Sequence, residues 1–283
     1  MPQQLQKVTV LGMGIMGVAM ANNLDEEGLL AATWNRSGNR DFPKFNASIH
    51  EAVSDGEIIL ILVTDDQAVS DVLDLILDDL TDKHLVVQCS TVKPSSNIRF
   101  HKQVEKTGAR FIEALIGGSK GAAINRKIVF YTGGNHEDTL RAEPVLAKIS
   151  SNCIYIGETG KASHIKLAMN LNIALQVEAL CESFAYAERA GIDAETFFNV
   201  LKNNTAWNRL SEYKEPCLRN KDFSPQFSVK NMHKDVRLSL ETDGRDKRLA
   251  LLSALDGIFN QAESAGLGDE DMMALYKLLI KQK

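Results

Sequence analysis

Val8-Thr9-Val10-Leu11 is a short β-branched run, and it is followed by Gly12-Met13-Gly14-Ile15-Met16-Gly17 and an apolar, alanine-rich stretch. This is the order strand, glycine turn, helix. Each glycine of the G-x-G-x-x-G pattern has its own task in a turn that receives a pyrophosphate. Gly12 turns the chain off the strand, Gly14 leaves the backbone bare for a phosphate, and Gly17 lets the helix pack closely on the sheet. The helix start then points unpaired N–H groups at the phosphates. In this context the motif implies dinucleotide binding by residues 12–17. About 20 residues further on, NAD-binding chains place a carboxylate on the ribose 2′-hydroxyl; here the chain reads Trp34-Asn35-Arg36-Ser37. Asn35 is neutral, Arg36 is a planar cation suited to a 2′-phosphate, and Ser37 and Arg40 add a hydroxyl and a second positive charge. The implied preference is NADP(H) over NAD(H); the bland alternative is a solvated arginine in a surface turn.

Lys166 and Asn170 lie four residues apart, on one face of a helix. Most helical lysines are solvated. Lys166, however, is set among Ile165, Leu167, Ala168 and Met169, just after the turn Gly157-Glu158-Thr159-Gly160. An ammonium in a partly desolvated cleft can polarise a carbonyl oxygen and give it a proton as hydride arrives. Upstream, Arg110-Phe111-Ile112-Glu113-Ala114 ends in Leu115-Ile116-Gly117-Gly118-Ser119-Lys120-Gly121-Ala122. This is a glycine-serine loop at a strand end, where open α/β sheets hold ligands. Backbone N–H groups at Gly117 and Gly118 and the Ser119 hydroxyl could hold a carboxylate; an ordinary glycine loop is the alternative.

The elements that must position these residues can be read from patterning. Apolar runs at Ile58–Val63, His84–Cys89, Arg110–Ala114, Ile128–Tyr131 and Cys153–Ile156 alternate with helical stretches such as Asp66–Leu80 and Pro94–Thr107. Such alternation predicts a parallel, doubly wound sheet of Rossmann type with helices on both faces. Beyond Gly157 everything reads as helix. One long helix is expected over Lys161–Ala190 with Gly191 as C-cap, followed by helices over Asp193–Asn203, Ala206–Glu215, Ser228–Glu241, Arg248–Ala265 and Asp269–Lys281. The expected organisation is an α/β dinucleotide-binding domain over residues 1–160 and an all-α domain over 161–283. The long helix would be shared between them and line the cleft.

Composition narrows the function classes. The chain has 283 residues, 44% of them hydrophobic, and a net charge of −5. Nothing in it suggests nucleic-acid binding, and no apolar run approaches the ~20 residues that span a bilayer. The polar N-terminus lacks a signal-peptide core, so a cytoplasmic protein is expected, and the all-α half suggests a dimer or tetramer. Cys89, Cys153, Cys181 and Cys217 show no metal-ligand spacing, and no metal is expected; Cys89 and Cys181 read as buried thiols. His164 reads as a surface or packing residue, His233 as a possible cleft residue, and Trp207 and Tyr213 as packing residues.

Taken together, the motifs resemble the β-hydroxyacid dehydrogenase family, which includes 3-hydroxyisobutyrate dehydrogenases and NADPH-dependent glyoxylate/succinic semialdehyde reductases. The resemblance runs nearly end to end. The opening through Met20, Ala21, Asn23 and Leu24 resembles the family's cofactor signature, and Trp34-Asn35-Arg36-Ser37 its NADP-preferring branch. Val63-Thr64-Asp65 and Ser90-Thr91-Val92 with Pro94 resemble the loops that touch the cofactor. Glu113 to Ala122 resembles the substrate-carboxylate loop. Gly160, Lys166 and Asn170 match the family's catalytic helix, with Lys166 as acid/base. Phe227 and Lys234-Asp235 resemble a segment whose lysine reaches the active site, and Gly266 to Asp271 the usual C-terminal ending. The resemblance implies hydride transfer between NADPH and a small aldehyde or keto acid, or the matching hydroxy acid.

Three departures stand out. Gly117 occupies the place of the family's carboxylate-holding serine, Met169 replaces the first residue of an Asn-Asn pair, and residues 38–49 are shorter than usual, which predicts a loop in place of a helix there. Two alternatives accompany the main reading. Imine reductases share Trp-Asn-Arg-Ser but carry Asp or Tyr in place of Lys166. A non-catalytic NADP-binding scaffold or sensor would account for the missing serine.

Overall fold

A computed structural model of the chain describes residues 5–38, 41–244 and 249–280. The chain divides into two compact units, Met1–Lys166 and Leu167–Lys283.

The first unit is built on a seven-stranded sheet in the order β2-β1-β3-β4-β5-β6-β7. Its strands are β1 (Val8–Leu11), β2 (Leu30–Trp34), β3 (Ile58–Ile61), β4 (Leu85–Gln88), β5 (Arg110–Gly117), β6 (Val129–Gly134) and β7 (Asn152–Gly157). Between them run α1 (Ile15–Glu26), α2 (Ile49–Asp55), α3 (Asp66–Ile76), α4 (Pro94–Glu105), α5 (Lys120–Ile124) and α6 (His136–Leu146). Every residue of β1, β3 and β4 is buried, as continuous apolar runs require of strands covered on both faces. Separate cores lie on the two faces, one around Val8, Val10, Leu60 and Phe130, the other around Leu11, Ile61, Phe100 and Phe111. Short polar side chains start the helices: Asp65 accepts the N–H of Ala68 at 2.9 Å, and Asn135 that of Glu137 at 2.8 Å.

The sheet is not wholly parallel. β5 and β6 run antiparallel, with Glu113 opposite Gly133 and Gly117 opposite Val129, whereas β6 and β7 are parallel. Residues 118–128 hold only the single-turn helix α5, which is too short a connection for a parallel crossover. The chain therefore turns back beside β5. Between β2 and α2 no helix forms among the described residues, in keeping with the shortness of that stretch, and two turns of helix survive as α2.

The second unit contains most of α7 (Lys161–Arg189), then α8 (Ala194–Lys202), α9 (Arg209–Asn220), α10 (Val229–Thr242), α11 (Ala250–Ser264) and α12 (Tyr276–Leu279). Gly191, at φ +82°, closes α7: its N–H bonds Glu188 O at 2.9 Å and that of Ile192 bonds Ala187 O at 3.1 Å. α9 begins at Arg209, three residues later than patterning suggests, because Asn208 caps Leu210 and Ser211. The expected helix over Asp269–Lys281 is instead a 3₁₀ turn, Met272–Leu275, running into the short α12. The buried Asp271 carboxylate fixes that turn, accepting from Lys214 Nζ at 2.8 and 2.9 Å and from the N–H groups of Gln226, Phe227 and Met273. Among the described residues no helix is long and apolar enough to cross a membrane.

Candidate active site

β1 is flanked by β2 on one side and β3 on the other, so the strand order reverses between β1 and β3, where doubly wound sheets bind ligands at the carboxyl ends of the strands. The glycine turn sits there. Gly12 has φ +106°, and a Cβ on it would stand 2.2 Å from Leu62 O; a Cβ on Gly17 would stand 1.9 Å from Gly12 O. Both positions are closed to any side chain. At Gly14 a Cβ would meet nothing within 4 Å, so the space above that backbone is open. Gly14 is also the N-cap of the three-turn α1 and supplies no capping side chain, leaving the first N–H groups of the helix to an outside acceptor. The side chains of Met13 and Met16 pack into the core while Ile15 is exposed; the turn thus offers backbone to a ligand. These features fit a dinucleotide pyrophosphate.

Just beyond β2, Asn35 Nδ2 donates to Ser37 Oγ at 3.0 Å, while its Oδ1 is buried without a partner. The Arg36 side chain is 86% exposed and stands 3.8 Å from Asp71. Arg40 lies outside the described residues. Beside β3, Val63 N donates to Ser90 Oγ at 2.8 Å, which ties the Val63-Thr64 loop to the Ser90-Thr91 loop. Thr64 bonds the Asp65 carboxylate at 3.2 Å.

A buried polar network then joins these loops to α7. Gln88, fully buried on β4, accepts from Ser90 N through Oε1 and donates through Nε2 to Ser90 O (3.0 Å) and to Asn97 Oδ1 of α4 (2.8 Å). Asn97 Nδ2 reaches both Glu113 Oε2 and Ser163 Oγ at 2.7 Å. The Glu113 carboxylate also accepts from Ser163 Oγ (2.6 Å) and from the backbone N–H groups of Gly160 (2.8 Å) and Ala162 (2.7 Å). A fully buried carboxylate thus caps α7 at its positive end. Gly133 makes room for it: a Cβ there would stand 2.6 Å from Glu113 Oε1. Residue type and spacing gave no hint of this role: Glu113, at the start of the segment Glu113 to Ala122, is fully buried and commits its carboxylate to the start of α7.

Three residues past Ser163 on α7 comes half-buried Lys166, and one turn further buried Asn170. In the second unit, Asn170 Nδ2 donates to Asp235 Oδ2, and Lys234 Nζ pairs with Asp235 Oδ1 at 3.2 Å. Asn170, Lys234 and Asp235 thus form one cluster. His233, read as a possible cleft residue, is bonded within the second unit. It is 2% exposed, with Nδ1 2.8 Å from Glu263 and Nε2 3.2 Å from Asp256, and it fastens α10 to α11. His164 is exposed, Trp207 half-buried and Tyr213 exposed. In the loop after β5, Gly118 takes φ +140°, and Ser119 caps α5, accepting from Ala122 N at 3.4 Å. Cys89 and Cys181 are buried as expected, and burial pushes both thiols up, so neither offers a thiolate nucleophile at neutral pH.

Comparison with known proteins agrees with this arrangement. Residues 7–157 match the NAD-binding domain of 6-phosphogluconate dehydrogenase. Residues 160–279 match the NAD-binding domain of NADP-dependent 3-hydroxyisobutyrate dehydrogenase. Glyoxylate/succinic semialdehyde reductase 1 of Arabidopsis thaliana is 28% identical over 95% of this chain and 96% of its own length. The 3-hydroxyisobutyrate dehydrogenase of Mycobacterium tuberculosis, solved with L-serine, shares the fold with a TM-score of 0.88 at 24% identity, over 98% of this chain and 100% of that one. An imine reductase from Bacillus cereus is more distant, with a TM-score of 0.62 at 20% identity over 96% and 98% of the two chains. The chain belongs to the β-hydroxyacid dehydrogenase family. It is a pyridine-nucleotide-dependent oxidoreductase acting on hydroxyl or aldehyde groups.

Proposed function

We propose that this enzyme uses NADPH to reduce small carbonyl acids of the glyoxylate or succinic semialdehyde class, with Lys166 as the acid. When bound, the nicotinamide supplies the hydride. The chain's own residues do the rest. Gly12 to Gly17 hold the pyrophosphate on backbone N–H groups at the start of α1, and Asn35, Arg36, Ser37 and Arg40 take the ribose phosphate. Val63, Thr64 and Thr91 face the cofactor, and Gly117, Gly118 and Ser119 hold the substrate's carboxylate end. Lys166 polarises the carbonyl oxygen and delivers its proton, and Asn170 assists from one helical turn away. In the second unit, Asp235 holds Asn170 and pairs with Lys234.

The observation that carries this reading is the anchored start of α7. A buried carboxylate and two buried polar side chains fix the backbone at residues 160–163, so the half-buried ammonium three residues later has a fixed base. The named activity of the plant relative supports the substrate class.

The test is loss of NADPH absorbance with glyoxylate, succinic semialdehyde and a cyclic imine, for the wild type and for Lys166→Ala. Turnover of the aldehyde acids is expected, and it should drop by ~10²–10⁴ in the variant while NADPH affinity stays put. Near-wild-type turnover would remove Lys166 as the acid. Turnover of the imine alone would move the enzyme to imine reduction. Tight NADPH binding without turnover of any substrate would leave a nucleotide-binding scaffold.

A further inference from the structure

Gly117 ends β5, where the sequence pattern places a glycine in a position that the family fills with serine. On that strand Glu113, Leu115 and Gly117 share one face. Tyr131 of β6 lies opposite Leu115, and Gly133 opposite Glu113, so both belong to the same face. The Tyr131 ring leans along it towards the strand end. A Cβ on Gly117 would stand 2.7 Å from the phenolic oxygen, 3.0 Å from Cζ and 3.2 Å from Cε2. The phenol thus occupies the volume that a side chain at 117 would take. A hydroxyl from residue 117 and one from residue 131 exclude each other.

Two further observations give that hydroxyl a task. Tyr131 is half-buried, and its oxygen, with no hydrogen-bond partner among the described residues, is not one of the sealed-off polar atoms, so its O–H stays open to a ligand. On the same face Glu113 receives the first N–H groups of α7, so the phenol stands on the side of the sheet where the helix bearing Lys166 begins. The loop's other hydroxyl, Ser119, accepts from Ala122 N in capping α5, a bond that leaves its own proton for the substrate's carboxylate.

We propose that Tyr131 donates a hydrogen bond to the substrate's carboxylate and selects aldehyde acids over neutral aldehydes. The inference rests on the reductase reading above and sharpens it. A phenol O–H donating to a carboxylate makes a charge-assisted bond, and its loss corresponds to about tenfold to a hundredfold in affinity.

Tyr131→Phe keeps the ring and removes only the oxygen. With succinic semialdehyde, kcat/KM should fall about tenfold or more, mainly through KM. With butanal, which has the same chain length and no carboxylate, it should stay unchanged, as should the NADPH Kd. Calorimetric titration of 4-hydroxybutyrate into the NADPH-loaded protein gives a reading that needs no turnover: the wild type should bind it and Tyr131→Phe should bind about tenfold more weakly. A second pair of variants tests the exclusion. Tyr131→Ala should lose the preference for the acid, and adding Gly117→Ser to it should restore that preference by returning a hydroxyl to the vacated space. Equal losses for both aldehydes, unchanged 4-hydroxybutyrate affinity in Tyr131→Phe, or no binding by either protein would each overturn the assignment. Wild-type protein that binds 4-hydroxybutyrate through Tyr131 but oxidises no NADPH would sink the reductase reading and leave the phenol's role standing.

Discussion

At the level of single residues, cofactor choice comes down to what stands after β2. Asn35 brings no charge to repel a phosphate, and its buried Oδ1 lacks a partner. The Arg36 guanidinium is held loosely: its ion pair with Asp71 is 3.8 Å long, with both side chains well exposed. Such a pair contributes about 0–1 kcal/mol, so Arg36 can leave it for a 2′-phosphate at little cost. Arg36→Ala should therefore weaken NADPH binding by about tenfold or more while leaving NADH within about twofold, as measured by quenching of intrinsic fluorescence. Equal weakening of both cofactors would mean that Arg36 acts through the adenine ring and not through the phosphate. The Asn-Arg-Ser sequence was readable as such without coordinates. The orphaned amide oxygen and the competition of Asp71 were not, because α3 reaches Arg36 only through the fold.

Among the elements, α7 depends on its buried cap. Glu113→Gln keeps the shape but replaces one acceptor oxygen with an NH₂ and removes the charge, so the N–H groups of Gly160 and Ala162 and the Ser163 hydroxyl compete for what remains. A buried donor left unsatisfied costs about 1–3 kcal/mol. Backbone amides of residues 160–166 should exchange hydrogen faster in this variant, kcat should fall, and the NADPH Kd should hold, because, among the described residues, none of the glycine turn bonds into the network. Unchanged exchange over that segment would show that the carboxylate does not anchor the helix. Gly133→Ala offers a second route to the same loss, since its Cβ would stand 2.6 Å from the carboxylate. What could be read in advance follows from locality. The strands announce themselves as continuous apolar runs, the phosphate turn by three glycines in order, and the end of α7 by Gly191. The Gln88-Asn97-Glu113-Ser163 network and the Tyr131 phenol are long-range meetings of ordinary polar residues, and nothing in their spacing marks them. The reversal of β6 was hidden in the length of one connection, whose 11 residues are too few for a crossover.

The whole molecule is two units with separate cores, and the helical one carries a pH-dependent weakness. Glu178, on α7, is 8% exposed, and its Oε2 is buried without a hydrogen bond. Burial pushes its carboxyl up to about 7, and the neighbouring Glu182 adds to the rise. Because the folded form holds this proton more tightly than the unfolded chain does, ionisation of Glu178 opposes folding. Below the unfolded value near 4.5 the group has no effect. Between there and about pH 7 stability is lost as pH rises, and above pH 7 the full loss remains. The rise corresponds to at most about 3 kcal/mol. The paired carboxylates of Glu188 and Glu215, held low by Tyr276 and Lys221 and by Lys202 and Arg219 respectively, work in the opposite sense and lose their contribution only in acid. The decisive quantity is therefore the difference between wild type and Glu178→Gln. Each unit contains one tryptophan, Trp34 and Trp207, so a Trp34→Phe background makes fluorescence report on the helical unit alone. In urea titrations on that background the two proteins should unfold at similar denaturant concentrations at pH 4.5, and the Gln variant should become the more stable by 1–3 kcal/mol (order of magnitude, about) by pH 8. A constant difference across that range would mean that Glu178 keeps its charge in the folded protein and has a partner there.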